Sequence, residues 1–210
     1  MLQFNTILHE SAIEPKSVQL VRHQARGPTG KTPYSLWRTA KDQFELYQSL
    51  QKRSVFKREW LACFIVTPEA DTLFVGMYRN DKEERSKTEE TCPVMEWTFS
   101  PGSMWRYELS PDQRLRDLSA RLVVDWGAGY RSWTQRADRQ NKTVLELRRQ
   151  FREPAFPGFD SFAMRVAELG AIHSTWKTVL SAVRGVYLLT FDDGQQYIGS
   201  ASGELGFFQR

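Results

Sequence analysis

Two periods of apolar spacing run along this chain and divide it into elements. LQFNTILHES (2–11) carries its apolar residues at helical spacing. AKDQFELYQSLQKR (40–53) does the same through Phe44, Leu46, Tyr47 and Leu50. Between them, SVQLVRH (17–23) reads as a first strand. Strand signals then dominate. EWLACFIVT (59–67) turns through Pro68, Glu69, Ala70 and Asp71 into TLFVGMYR (72–79), which predicts a hairpin. VMEWTF (94–99) and SMWRYELS (103–110), joined at Pro101-Gly102, predict a second. RLVVDWG (121–127) and KTVLELR (142–148) bring the total to five to seven strands. The fold class is therefore α+β: a body with a curved, largely antiparallel sheet or small β-barrel plus helices.

Turn residues mark where this body ends. EPAFPGF (153–159), with two prolines and a glycine, separates a body of residues 1–160 from a tail. In the tail, HSTWKTVLSAVR (173–184) predicts a helix capped by Ser174 or Thr175. Residues 161–184 then act as linker and helix before a last segment, 185–210. The mixed-charge run RNDKEERSKTEE (79–90), four basic and five acidic residues without apolar period, reads as a solvated, flexible loop.

Composition narrows the function classes. The chain has 210 residues, 40% of them hydrophobic, which is enough for a packed core and argues against wholesale disorder. No apolar run approaches the roughly 20 residues that span a bilayer, so no membrane association is expected. No signal peptide is recognisable at the N-terminus. Cys63 and Cys92 stand in no metal or disulfide pattern, so a reduced, cytoplasmic setting without a metal site is the expectation. His9, His23 and His173 are scattered, and no acid–base role is assigned to them.

Charge changes the picture. The net charge is only +4, yet Lys16 to Lys41 holds six Lys/Arg and no acid, and Arg131 to Arg152 holds seven against Asp138 and Glu146. Interspersed with aromatics, such stretches suit a polyphosphate partner, DNA above all; the alternative is that several arginines pair with carboxylates in the fold. The residues expected to contact phosphate are Arg131, Arg136, Arg139, Lys142, Arg148 and Arg149. Asp125 and Asp138 are candidates to pair with nearby arginines. Trp60, Trp97, Trp105, Trp126 and Trp133 read chiefly as core, with a base-stacking pocket as the functional alternative. ARGPTGKT (25–32) has the outline of a nucleotide-binding phosphate loop. Pro33, however, drives Thr32 from the α region and Pro28 removes an amide, so a basic turn-rich loop without nucleotide is the better reading.

The last 26 residues carry the most specific signal. Gly185-Val186-Tyr187 and Tyr197-Ile198-Gly199 lie in two short apolar runs joined by Asp-Asp-Gly, and GSASGELGFFQR follows. This paired signature resembles that of the GIY-YIG nucleases. The resemblance implies the first β-hairpin of a metal-dependent phosphodiesterase, with Tyr187 beside the attacking water and Tyr197 positioning that water or the phosphate. The arginine at 210 would balance phosphate charge in the transition state, while Gly185 and Gly199 are the motif glycines. It also implies Mg2+ or Mn2+ in a complete domain, held by a later glutamate that this sequence does not reach, so no metal is expected here. The tail is then expected to belong to a longer nuclease polypeptide. The run WTQRADRQNKTVLELRR (133–149) further resembles bacterial proteins that set such a body before the nuclease. Two function classes follow. One is the targeting region and partial catalytic domain of a DNA endonuclease, of restriction or phage-defence type. The other is a DNA-binding regulator or remnant without nuclease activity.

Overall fold

LACFIV and LFVG, near-continuous apolar runs, are what strands buried on both faces require, and they form the centre of the protein. The computed structural model describes residues 1–128, 132–151 and 153–209. The chain divides into two units, Met1–Arg152 and Glu153–Arg210.

In the first unit, helix α1 (Phe4–Glu10) precedes strand β1 (Val18–His23), and helices α2 (Pro33–Thr39) and α3 (Lys41–Ser49) follow. Next come β2 (Leu50–Gln51), β3 (Trp60–Val66), the long β4 (Thr72–Arg85), and a small hairpin of β5 (Glu90–Thr91) and β6 (Thr98–Phe99). Strands β7 (Trp105–Asp112), β8 (Leu122–Val124), β9 (Thr134–Arg136) and β10 (Val144–Leu147) complete the unit. The sheet order is β10-β8-β4-β3-β1-β9, with β7 joining β4 to β2. All pairings in it are antiparallel except β1 with β3, whose parallel crossover contains α2 and α3.

Strand β4 is why the sheet curls. Its start pairs with β8 and its later part with β7, while β3 runs along the other edge. Register breaks at Cys63/Phe64 and again at Asn80/Lys82, and such bulges bend a strand and raise its twist. Side chains alternate between two cores. Val21, Leu61, Cys63 and Ile65 face Tyr34, Leu36 and Phe44 of α2 and α3. Leu20, Ala62, Phe64 and Phe74 face Phe4 and Leu8 of α1, together with Leu122, Val124 and Trp126. The α+β class with a curved, mostly antiparallel sheet is thus what the residues form.

Several elements differ from expectation. RNDKEERSKTEE is no loop over its first seven residues, because Arg79 to Arg85 continue β4. Across the ladder Lys82 faces Glu108 and Glu84 faces Arg106, and opposite charges directly across a sheet stabilise the pairing. The closest ion pairs, however, lie within the stretch, Lys82 and Lys87 both reaching Glu84 at 2.9 and 3.0 Å, and Arg106 of β7 reaches Glu90 at 2.5 Å. The expected hairpin of 94–99 with 103–110 does not form. Residues 93–97 are instead the turn of β5–β6, closed by Cys92 N–H to Trp97 O at 2.9 Å, with Glu96 at φ 58°. Thr32 is extended, as its place before Pro33 requires, and Pro33 opens α2 at its first position, where proline is favoured. Thr32 and Ser35 form a capping box there.

The second unit contains helix α4 (Ser174–Ala182) and a hairpin of β11 (Gly185–Thr190) and β12 (Gln196–Ala201). Residues 153–160, read from sequence with the body, fold with this unit. Phe156 packs on Phe159, Phe162 and Trp176 at 5.0, 5.4 and 5.9 Å between ring centres. The cap of α4 is neither Ser174 nor Thr175: the N-cap is His173, and the carboxylate of Glu153 accepts the Thr175 N–H at 2.8 Å and the Ser174 N–H at 3.3 Å. A carboxylate there meets both the free amides and the positive end of the helix.

Candidate functional site

The hairpin register sets the geometry of the tyrosines. Tyr187 pairs with Gly199 and Leu189 with Tyr197, so side-chain alternation puts Tyr187, Leu189, Tyr197 and Gly199 on one face. The two rings lie 6.4 Å apart between centres, inclined at 49°. Both motif glycines answer to a ring. A methyl group on Gly199 would sit 2.2 Å from Tyr187 Cζ, and one on Gly185 would sit 2.8 Å from Phe207 Cζ. The Tyr187 phenol is therefore laid across Gly199, which fixes where its hydroxyl can go. Tyr197 keeps 54% of its surface exposed. The position of the arginine at 210 lies outside the described residues.

The resemblance calls for a divalent ion, and the hairpin's donors can be tested against it. Its nearby carboxylates are Asp192 and Asp193 in the turn and Glu204 beyond β12. Among the described residues no three His, Cys, Asp or Glu side chains come together as a metal would need. The described residues do not fit such an ion, and no step is assigned to one.

The basic stretch 131–152 is less free than its sequence suggests. Lys142 is not a surface contact: it is 3% exposed, and its ammonium donates to the Trp126 carbonyl at 2.8 Å. The stem of Lys142 covers apolar surface, and burial lowers its pKa. Arg148 spans Asp71 at 2.6 Å and Glu146 at 2.9 Å. Arg136 is held by Asp138 through two hydrogen bonds, at 3.0 and 2.5 Å. The alternative, pairing with carboxylates, therefore holds for Arg136 and Arg148. Arg139 and Arg149 are exposed, with no carboxylate partner among the described residues. Arg131 lies outside them.

The tryptophans separate. Trp126 is buried with Phe64 edge-on at 5.7 Å, while Trp60, Trp105 and Trp97 each lie under a cation: Arg114 at 4.2 Å, Arg85 at 4.2 Å and Lys52 at 4.5 Å. Asp125 pairs with no arginine among the described residues; it accepts the Gly127 N–H at 2.8 Å. His23 is enclosed by Phe44 and Tyr47, and burial lowers its pKa to about 4, against the Gln48 side chain, which favours the charged imidazolium. In the phosphate-loop-like segment, Thr32 is extended (φ −129°, ψ 160°) and Lys31 is engaged by Glu96 at 2.6 Å.

One residue escaped the sequence reading. Arg22 is a single cation in the apolar strand VQLVRH, and a charge at a strand position otherwise fit for burial is the signal that would have found it. No helix among the described residues is long and apolar enough to cross a membrane. The chain matches no protein-family model, no curated protein and no solved structure.

Proposed function

We propose that this chain is a DNA-targeting body joined to the tyrosine hairpin of a GIY-YIG-type endonuclease. The observation that carries the reading is the single face shared by Tyr187, Tyr197 and Gly199. A phenol hydroxyl both donates and accepts a hydrogen bond. Two of them on one rigid ladder can hold a water and a phosphoryl oxygen at fixed separation, and hydrolysis of a phosphodiester depends largely on such positioning. The glycine under Tyr187 supports the same reading, because it fixes the ring where a flexible side chain would wander. DNA is brought by the body, with Arg139 and Arg149 as its free cations in the basic stretch. The second reading, a DNA-binding regulator without hydrolysis, is favoured because no three His, Cys, Asp or Glu side chains come together as metal ligands among the described residues.

The test is a duplex-binding titration across salt, with cleavage followed in parallel. Binding that weakens with salt is expected, without cutting in magnesium or manganese. Arg139→Glu combined with Arg149→Glu should flatten the log–log slope by about 1.8, roughly 0.9 per phosphate contact. No binding at low salt would refute the targeting role. Metal-dependent nicking that disappears in Tyr187→Phe would refute the expectation that this chain does not cut.

A further inference from the structure

Strand β10 ends one side of the first unit's sheet and, among the described strands, pairs only with β8. Its outer edge is covered just at the start. Gln3 bridges Thr143, the Phe4 N–H donates to the Lys142 carbonyl at 2.8 Å, and the Val144 N–H donates to the Leu2 carbonyl at 2.9 Å. Past Val144 no described strand continues this cover. The Arg148 N–H points inward, to the Arg121 carbonyl at 2.9 Å. Backbone groups of successive residues face opposite sides of a strand, so the N–H and C=O of Leu147 point outward. Such groups are how a sheet edge takes up another strand.

Apolar side chains gather at the same edge. Of the exposed large apolar residues described in the first unit, Met1, Leu2, Leu145 and Leu147 stand here, and the other is Trp97. Leu145 and Leu147 are 62% and 50% exposed. Charges on an edge ordinarily repel a second strand, but Glu146 and Arg148 are of opposite sign and flank Leu147. That order is its own complement when the strand is reversed. An antiparallel pair of copies centred on Leu147 sets Glu146 opposite Arg148 twice, whereas centring on Glu146 or on Arg148 sets like charges face to face. Opposite charges across a ladder favour a pairing and like charges oppose it, so one register is selected. Within each chain Arg148 already meets Glu146 at 2.9 Å and Asp71 at 2.6 Å. Two copies would bring two Glu146–Arg148 pairs together as a square of alternating charge.

We propose that the outer edge of β10 is a dimer interface, where a second copy of this chain adds its own β10 antiparallel about Leu147. Two reciprocal hydrogen bonds between the Leu147 backbones join the edges. Leu147, with Leu2 and Leu145 beside it, leaves water on pairing, and the charge square fixes the register. An unrelated strand meets the same backbone groups but not the reversed charge order. The inference concerns the first unit and is independent of the nuclease reading.

Sedimentation velocity of the full chain, from low to high micromolar concentration, tests it. A reversible monomer–dimer equilibrium is expected. Leu147→Pro removes the outward N–H without touching a bond to β8, a place where strands accept proline. It should weaken association about thirtyfold by loss of both reciprocal bonds. If that variant does not fold, Leu147→Cys reads the same contact. Cys63 and Cys92 are buried, and a short bis-maleimide should join two copies through position 147, where the Cβ atoms face each other at about 5.5 Å. Val186→Cys, on the exposed face of the β11–β12 hairpin, should link far less. A mass that stays monomeric throughout overturns the proposal. So does a dimer unmoved by Leu147→Pro, or cross-linking through Val186→Cys as efficient as through Leu147→Cys.

Discussion

The two units of this protein bury apolar surface in opposite ways. In Met1–Arg152 the central strands are covered on both faces, by α2 and α3 on one and α1 on the other. In Glu153–Arg210 the hairpin turns Ala201 and Gly199 inward but leaves Val186, Leu188 and Ile198 at 69%, 55% and 71% exposure on the opposite face. Burial in the first unit therefore depends on partners far along the chain, whereas the hairpin is fixed by its own register and two ring-on-glycine contacts. A two-stranded ribbon is marginal alone, so the tyrosine face is held by a few local contacts and is correspondingly easy to disturb. The core of the body is protected by many distant ones.

The sharpest way to break this contrast is to remove one ring from each. Phe64 is fully buried and packs on Phe4, Phe74 and Trp126. Phe64→Ala should cost about 3–5 kcal/mol in urea unfolding. Ile198→Asp, on the open face, should stay within about 0.5 kcal/mol. Comparable losses from both would mean that the hairpin's outer face is covered.

A proton probes the same core. His23 titrates near 4 when folded, below its ordinary value of 6.5, so between those values the unfolded chain binds more protons. Stability is full above pH ~6.5 and falls as the pH drops toward ~4, by about 3 kcal/mol in all. His23→Phe should flatten that part of the pH–stability curve; an unchanged slope would mean that other groups produce it.

In the hairpin, Gly199→Ala should cost about 1–3 kcal/mol by overpacking against Tyr187, read by unfolding and by displacement of the Tyr187 ring resonances. A wild-type ring position would mean that the phenol is not pinned by this glycine. A modest effect belongs to Glu153→Gln, which weakens the α4 cap by about 1 kcal/mol and should appear as faster amide exchange at Ser174 and Thr175.

Sequence legibility follows the same division. The β3–β4 and β11–β12 hairpins, α1, α3 and α4 are visible because their signals are local: apolar period, a turn of four residues, Asp-Asp-Gly. The strand character of 79–85 is invisible because it depends on β7, twenty residues onward, to supply the partner strand of its ladder. Lys142 reads as a surface cation, since nothing local announces the Trp126 carbonyl that receives its ammonium. The parallel pairing of β1 with β3 is equally silent, because it is set by the crossover between them. At the candidate site, the shared face of Tyr187 and Tyr197 is legible from strand alternation, while Arg22 needs the fold to bring Trp126 to it.

The claim at the centre is that a phosphodiester is received on the Tyr187/Tyr197 face. The direct measurement is a tyrosine-labelled NMR titration of the full chain with a short duplex, the two signals assigned with Tyr187→Phe and Tyr197→Phe. Tyr187 and Tyr197 are expected to shift together as DNA binds, while Tyr34, Tyr78 and Tyr107, buried in the body, stay in place. Saturable DNA binding that leaves both hairpin rings unmoved would contradict it.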